Sequence, residues 1–427
     1  MKEITPMKKI VSLLLAALML LSVGSAMAES TYAVTEPINI TFWHSLSNEP
    51  DVELLTRMVK DFEASQPNVT VTMEYIGNYN AINEKLVSAH AAGTGLPGVA
   101  IINVPRLTSY AEGGLVEDLT PYIAANNYDM SDFGAGFVDA MNVKGVQTAL
   151  PFMESGQVFF YNKTVLDELG LTFPTEWAGM DEYVKTVFEK TGKPAISILG
   201  YDNAYFYNLF VNVGAYMINE DGMTTGLDKP AALELIKQLA DWVDKGYVTW
   251  YYSSDAASNC QAAFTSGETM GVLYTTTLYD DYKAGSNFEV SIALNPKSET
   301  AYHMVAGGTL ILPAKNTQAV KNASFLLASY LAGPKYNIEW AKTTSYLPTR
   351  KSVIGTPEYE DYLKTLPAMR IVVENLDLMV KKTQHALFDT CGDIFERNLA
   401  EMMLEDVDLE AGWHKLVNEI NDYLADQ

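Results

Sequence analysis

Among the residue groupings that could do chemistry, one stands out: a serine and a glycine between apolar flanks, in Ala149-Leu150-Pro151-Phe152-Met153-Glu154-Ser155-Gly156-Gln157-Val158-Phe159-Phe160-Tyr161-Asn162-Lys163. Val158 to Tyr161 is β-branched and aromatic and reads as a buried strand, which Met153 to Gly156 interrupts. Two readings fit. Either the chain crosses here between two lobes and puts Ser155 in a cleft, where two walls bury a small molecule and a few polar groups orient it, or this is a surface loop before a strand. A second group is aromatic: Trp43, Trp177, Tyr201, Tyr205, Tyr207, Trp250, Tyr251 and Tyr252 offer flat apolar faces to a pyranose ring. Most of these are expected in the core or at a rim. Covalent and metal chemistry have no motif to stand on, since there is no Walker loop, zinc spacing, GxSxG elbow, EF-hand loop or CxxC pair. No cofactor or metal is implied. The carboxylates are too numerous to single out a catalytic pair, so an exported glycosidase stays open at this level.

The elements that must position these residues begin after a leader. Lys8-Lys9, the apolar run Ile10 to Val23 and Ser25-Ala26-Met27-Ala28 form a charged region, a hydrophobic region and a small-x-small cleavage site, so residues 1–28 read as a secretory signal peptide. No cysteine lies near the cleavage point, and a soluble exported protein rather than a lipoprotein is expected. The whole chain of 427 residues carries a net charge of −24, and removing three lysines and one glutamate with the leader makes it −26. Such a balance argues against nucleic acid or an anionic membrane as partner, because both need basic patches. About 400 residues exceed what one core usually serves, so two domains are expected. Whether Cys260 and Cys391 pair is not legible.

Taken in order, Ile38 to Trp43 alternates as a first strand, and a helix from Asp51 buries Leu54, Leu55, Met58, Val59 and Phe62 until Gln66-Pro67-Asn68 stops it. Val69 to Met73 is the next strand. Gly77-Asn78-Tyr79 turns into a helix with Ile82, Leu86, Val87 and His90 on one face, and the apolar run Val99 to Val104 suits a strand buried on both faces. This order predicts an α/β lobe with a parallel or mixed sheet. Further strands are expected at Met270 to Tyr274, ahead of the hydroxyls Thr275-Thr276-Thr277, and at Val290 to Leu294. Glycines beside a core strand at Val305 to Pro313 suit a second crossing or a close backbone approach to ligand. Helices follow over Ala319 to Leu331 and in the acidic tail from Pro357.

With these residues in view the chain resembles an extracellular solute-binding protein of an ABC importer, in the family that holds maltose- and glycerol-3-phosphate-binding proteins. The resemblance rests on Phe42-Trp43-His44-Ser45, on Asp118-Leu119-Thr120-Pro121-Tyr122-Ile123, on Leu150-Pro151-Phe152 through Tyr161-Asn162-Lys163, on Gly307-Gly308, and on Ser345 to Lys351. It implies a two-lobed periplasmic-binding-protein fold. Lobe 1 would comprise 36–153 plus 310–346 and lobe 2 would comprise 157–306 plus 350–427, with crossings near 153–157, 306–310 and 346–350. It also implies a monomer that closes on a small-molecule solute, returns it unchanged to a permease, and is not an enzyme. Within the family the pattern is most similar to the glycerol-3-phosphate-binding branch, whose site corresponds to Tyr79, Ser155, Gly308, Tyr346 and Arg370. Two positions depart: Asn103-Val104-Pro105 stands where that branch has a glutamate, and Tyr274 with Thr275 stands where it has a serine, which makes Tyr274 and Thr275 candidates as well. A guanidinium at Arg370 would hold two phosphate oxygens as a planar fork. Other phosphorylated polyols, phosphodiesters and unphosphorylated mono- or oligosaccharides remain open as ligand.

Overall fold

The computed structural model describes residues 32–426, so the leader expected over 1–28 lies outside the described residues. Strands β1 (Ile38–His44), β2 (Val69–Tyr75) and β3 (Val99–Asn103) alternate with helices Glu49–Ser65 and Tyr79–Ala92. A two-residue hairpin, β4 (Asn142–Val143) and β5 (Val146–Gln147), leads to β6 (Leu150–Ser155), and β7 (Gln157–Asn162) begins after the single residue Gly156. Then come β8 (Ile196–Leu199), β9 (Val248–Tyr251), β10 (Gly271–Thr275) and β11 (Val290–Ala293). Last are β12 (His303–Met304), β13 (Ala306–Ile311) and β14 (Met379–Val380).

These strands form two five-stranded sheets, in the orders β2-β1-β3-β13-β6 and β11-β7-β10-β8-β9. In the first, β1 runs parallel to β2 and β3, and β13 returns antiparallel to β3 and β6. In the second, β8 is parallel to β9 and β10, and β7 is antiparallel to β10 and β11. The unbroken apolar run Val99 to Ile102 sits mid-sheet with every side chain buried, as a strand covered by helices on both faces must.

Consecutive strands β6 and β7 therefore belong to different sheets, and the joint between them is one glycine. A second joint lies at Val305, between β12 and β13, where the Val305 amide donates to the Val380 carbonyl at 2.8 Å. After helix Pro334–Thr344 the chain passes back beside β6, with the Leu347 amide donating to the Glu154 carbonyl at 2.8 Å. One apolar cluster fills the first lobe around Phe42, Leu55 and Phe325, and another fills the second around Phe206, Trp242 and Phe395. A third joins them, running from Trp43 and Ile102 to Phe160, Tyr274 and Met369.

The helices end where their sequences dictate. Asn78 caps helix Tyr79–Ala92 by accepting from the Ala81 amide, and Gly93 closes it in the left-handed region at φ 69°. Of the face expected on this helix, Ile82 and Leu86 are buried while Val87 is 50% exposed. The i, i+4 pair defines the stripe, and the next position turns away from it. The tail is helical, as its pattern indicated, and ends in Phe388–Leu404 and Leu409–Ala425, which pack on the second lobe. Cys260 and Cys391 are both buried free thiols, the first in the joining cluster and the second in the second-lobe core. Among the described residues no helix is long and apolar enough to cross a membrane.

At the second joint Gly307 adopts φ +107°, and a Cβ there would lie 1.9 Å from the Met153 carbonyl oxygen. Both the backbone angle and the contact exclude a side chain. Gly307→Ala is expected to cost about 2–4 kcal/mol of stability, read from the shift in a denaturant unfolding midpoint at unchanged slope.

Candidate functional site

The gap between the lobes is floored by the two joints and walled by aromatic hydroxyls. On the first lobe, the Gly77-Asn78 turn makes Tyr79 the first residue of its helix, so its ring leans over the end of the sheet. Its hydroxyl lies where a Cβ on Gly308 would be, 2.5 Å away, so the missing side chain at Gly308 is what admits the phenol. Tyr346 follows Ser345, which ends helix Pro334–Thr344 in the left-handed region at φ 58°. The Tyr79 hydroxyl sits beside those of Tyr346 and Ser45 yet has no well-formed hydrogen bond. Burial pushes the Tyr79 phenol up to about 12, and raises that of Tyr346 well above its ordinary value. Both are neutral donors throughout the physiological range.

From the second lobe, Tyr205 on helix Asn203–Asn212 stacks on Tyr274 of β10, with ring centroids 4.3 Å apart and planes 14° from parallel. Tyr205 faces Tyr346 across the gap, and burial raises its phenol too. Tyr274 accepts from the Gln261 side-chain amide at 3.4 Å. The two walls thus meet in four tyrosines, two from each lobe. The joint beneath them is clamped by Thr276, whose amide donates to the Gly156 carbonyl at 2.9 Å and whose hydroxyl accepts from the Gly156 amide at 3.3 Å.

Acidic side chains around the gap outnumber basic ones. Glu154, next to the buried Ser155, is 0% exposed and its desolvated carboxyl is pushed well above the usual carboxylate range. At the end of β3 opens a cavity of about 520 Å³ to which Asn103 and Arg106 contribute from one side and Tyr201, Tyr252 and Lys382 from the other. Asp202, Asp389, Asp393 and Glu396 also face it, four carboxylates against two cations. Arg106 is paired with Asp389 at 3.2 Å, tying the first lobe to the start of helix Phe388–Leu404. Burial lowers Lys382, whose ammonium lies 4.2 Å over the Phe388 ring. Tyr201 and Tyr252 meet edge to face at 5.4 Å, and Tyr201 is 49% exposed. Among the described residues no group of three or more His, Cys, Asp or Glu has metal-ligand geometry. The arrangement can hold a polyhydroxylated molecule by neutral donors, carboxylate acceptors and aromatic faces. No side chain in it is paired as nucleophile and base.

Comparison with known proteins bears on this site. A family model described as bacterial extracellular solute-binding protein matches residues 57–368. The chain belongs to this family, whose members are the solute-binding components of ABC importers. Among curated proteins, the arabinooligosaccharide-binding protein of Bacillus subtilis is 22% identical over 378 residues, 84% of this chain and 86% of that one. The maltotriose-binding protein of Pyrococcus abyssi is 24% identical over 75% of this chain and 69% of its own length. Among solved structures, the sugar-binding protein MalE of Xanthomonas citri superposes with a TM-score of 0.80 at 19% identity, over 91% of this chain and 98% of that one. UgpB of Mycobacterium tuberculosis, solved with glycerophosphocholine, gives 0.79 at 20% identity over the same shares. The two-lobed α/β fold is therefore that of the periplasmic sugar-binding proteins.

In this solute-binding protein the expected site residues separate into three groups. Tyr79, Gly308, Tyr346 and Tyr274 line or shape the gap, and Ser155 is buried at the joint, opposite Ala306 in the sheet. Thr275 ends β10 with its hydroxyl 3.3 Å from that of Thr277, one residue before the Thr276 that bonds Gly156. Arg370 stands apart. Its side chain is 38% exposed and ion-paired with Glu360 at 2.7 Å and Glu374 at 3.4 Å. It is a surface cation already engaged by two carboxylates, and the phosphate fork expected there is absent from the gap. Of the aromatic faces, Trp43, Tyr207 and Trp250 are core, with exposures of 3%, 0% and 4%.

Sequence reasoning did not single out Glu154, Arg106, Lys382 or Thr276. Glu154 carried a signal, a carboxyl two residues from a glycine inside an apolar run, whereas Arg106 and Lys382 are ordinary in sequence and meet only in the fold. The buried arginine here is Arg350, 3% exposed, which donates to the Ala332 and Asp129 carbonyls at 2.8 and 2.9 Å and lies 3.5 Å over Phe133. Arg350→Ala orphans those carbonyls and is expected to cost roughly 3 kcal/mol, read from denaturant unfolding. Arg370→Ala should leave both the unfolding midpoint and ligand affinity at the wild-type level.

Proposed function

We propose that this chain is an exported monomeric receptor that captures an uncharged carbohydrate between its lobes and presents it, chemically unaltered, to an ABC permease. The observation that carries the reading is the composition of the gap. Four neutral tyrosines converge from both lobes, and carboxylates outnumber cations in the adjoining cavity. Carboxylates accept from sugar hydroxyls and repel a phosphate, and buried aromatic faces cover the apolar side of a pyranose. The names of the Pyrococcus and Bacillus relatives, which specify maltotriose and arabinooligosaccharide, support the same class. A glycerol phosphate or phosphodiester, the ligand type of the UgpB structure, would have to be neutralised by Arg106 or Lys382. Arg106 is spent on Asp389, and burial disfavours the charged form of Lys382.

Capture would work by hinge closure. Residues of both lobes touch one ligand only when the lobes meet, so the ligand favours the closed population. The joints at Gly156 and Val305 are the places where the chain passes between sheets and so the places where the angle changes.

Isothermal titration against maltotriose, an arabino-oligosaccharide, glycerol 3-phosphate and glycerophosphocholine tests the ligand class. Saturable binding is expected with a neutral sugar and not with the phosphates, and the sugar is recovered intact after long incubation. Tyr205→Ala should weaken sugar binding about tenfold, the equivalent of roughly 1–1.5 kcal/mol for a lost aromatic contact. Tight binding of a phosphate alone, or hydrolysis of the sugar, overturns the reading.

A further inference from the structure

Beyond the gap, a second cavity of about 590 Å³ opens on the second lobe, within the range of about 300–1,000 Å³ that small ligands fill. Its walls are the loop that follows helix Asn203–Asn212 and the segment between β14 and helix Phe388–Leu404. That segment also touches the first lobe. Lys381 pairs with Asp139 at 3.2 Å, and the Gln384 side-chain amide donates to the Ala140 carbonyl at 3.2 Å, both on helix Ala135–Ala140, which packs on β6 of the first sheet. Lys382, in the same segment, lines both this cavity and the one at the end of β3. The two hollows share a wall.

The loop presents one aromatic face to this cavity. Ala215 and Met217 are buried, whereas Tyr216 between them is 38% exposed. Its position is set by the loop's own bonds, with the Gly226 amide donating to the Tyr216 carbonyl at 2.8 Å and Asp221 accepting from the Met223 amide at 2.8 Å, so no ordering is left for a ligand to bring about. Gly222, at φ +71°, comes so close to His385 that a Cβ there would stand 3.1 Å from Nε2. Since His385 Nδ1 accepts from the Leu387 amide at 3.2 Å, Nε2 carries the ring proton and is a donor. Glu220 supplies acceptor oxygens and has no ion pair among the described residues, while Lys381 is taken by Asp139 and the Lys382 ammonium lies over the Phe388 ring. An open phenol beside one donor and one carboxylate suits a sugar, whose hydroxyls donate and accept and whose apolar face covers a ring; a phosphate would meet Glu220 as a like charge.

We propose that this cavity is a second carbohydrate site of the receptor, in which a sugar lies on Tyr216 between Glu220 and His385. The proposal rests on the carbohydrate reading of the preceding section and extends it to the length of the ligand. A chain too long for the gap has a further place to bind on the other side of the wall at Lys382. Whether the sugar there is the far end of the chain held in the gap or a separate molecule is decided by stoichiometry.

Calorimetric titration of the full mature chain and of Tyr216→Ala, with the trisaccharide and the hexasaccharide of both the maltose and the arabinose series, tests this. In the series that binds, the wild type is expected to hold the hexasaccharide about tenfold more tightly than the trisaccharide, the scale of one aromatic contact, at one sugar per chain. Tyr216→Ala should lose that gain and bind the trisaccharide as the wild type does. Two trisaccharides per wild-type chain and one per variant chain would support the site equally and make its occupant a separate molecule. Equal affinities and equal stoichiometry in the two proteins for every sugar overturn the second site and leave the carbohydrate reading standing. Absence of binding by any of the four sugars to either protein overturns both.

Discussion

The constraint on which the rest depends is the passage from one sheet to the other through a single residue. β6 ends the first sheet and β7 enters the second with only Gly156 between them, so the edges of two sheets are brought face to face at a point where backbone polar groups cannot be left to solvent. Thr276 answers both groups of Gly156, the Leu347 amide answers the Glu154 carbonyl, and Val305 is answered by Val380. Each partner comes from a distant part of the sequence. The joint is thus satisfied by long-range contacts, and those contacts place the residues next to them, Tyr346 beside Leu347 and Tyr274 two before Thr276, at the mouth of the gap.

Desolvation is what the proposed ligand class rests on. The same burial that keeps the tyrosine hydroxyls protonated disfavours charge on Lys382 and Glu154. On that proposal an anionic guest would enter a place where positive charge is scarce and Arg106 is already paired with Asp389, whereas a neutral polyol leaves no net charge to bury. The overall charge of −24 points the same way at long range. Arg370, the residue on which a phosphate ligand rested, lies in the surface layer between two glutamates, where its charge is screened by water and by its own partners.

Much of the architecture was legible because its signals are local. Alternation at Ile38 to Trp43, the unbroken apolar run at Val99, and a glycine between a polar break and an aromatic strand each encode burial on a stated number of faces, and the strands and the crossing stand where those patterns lie. The two-residue strands β4, β5 and β14 carry no pattern, since two residues cannot show a period. Tyr79 and Gly308 entered through the family resemblance, and the fold sets the Tyr79 hydroxyl 2.5 Å from where a Cβ on Gly308 would lie, a contact no local pattern encodes. Charge pairing left no trace, because whether an arginine lines a cleft or a surface is settled by residues far away in sequence. Arg106 and Asp389 meet across 283 positions, and nothing near either one announces the other.

Glu154 shows what burial beside the joint costs. A carboxyl in a dry, uncompensated position is unfavourable for folding when ionised, and an apolar residue of similar size would remove that penalty. Gly307 lies opposite it in the sheet, and the absence of a side chain there is what lets the two strands pass this closely.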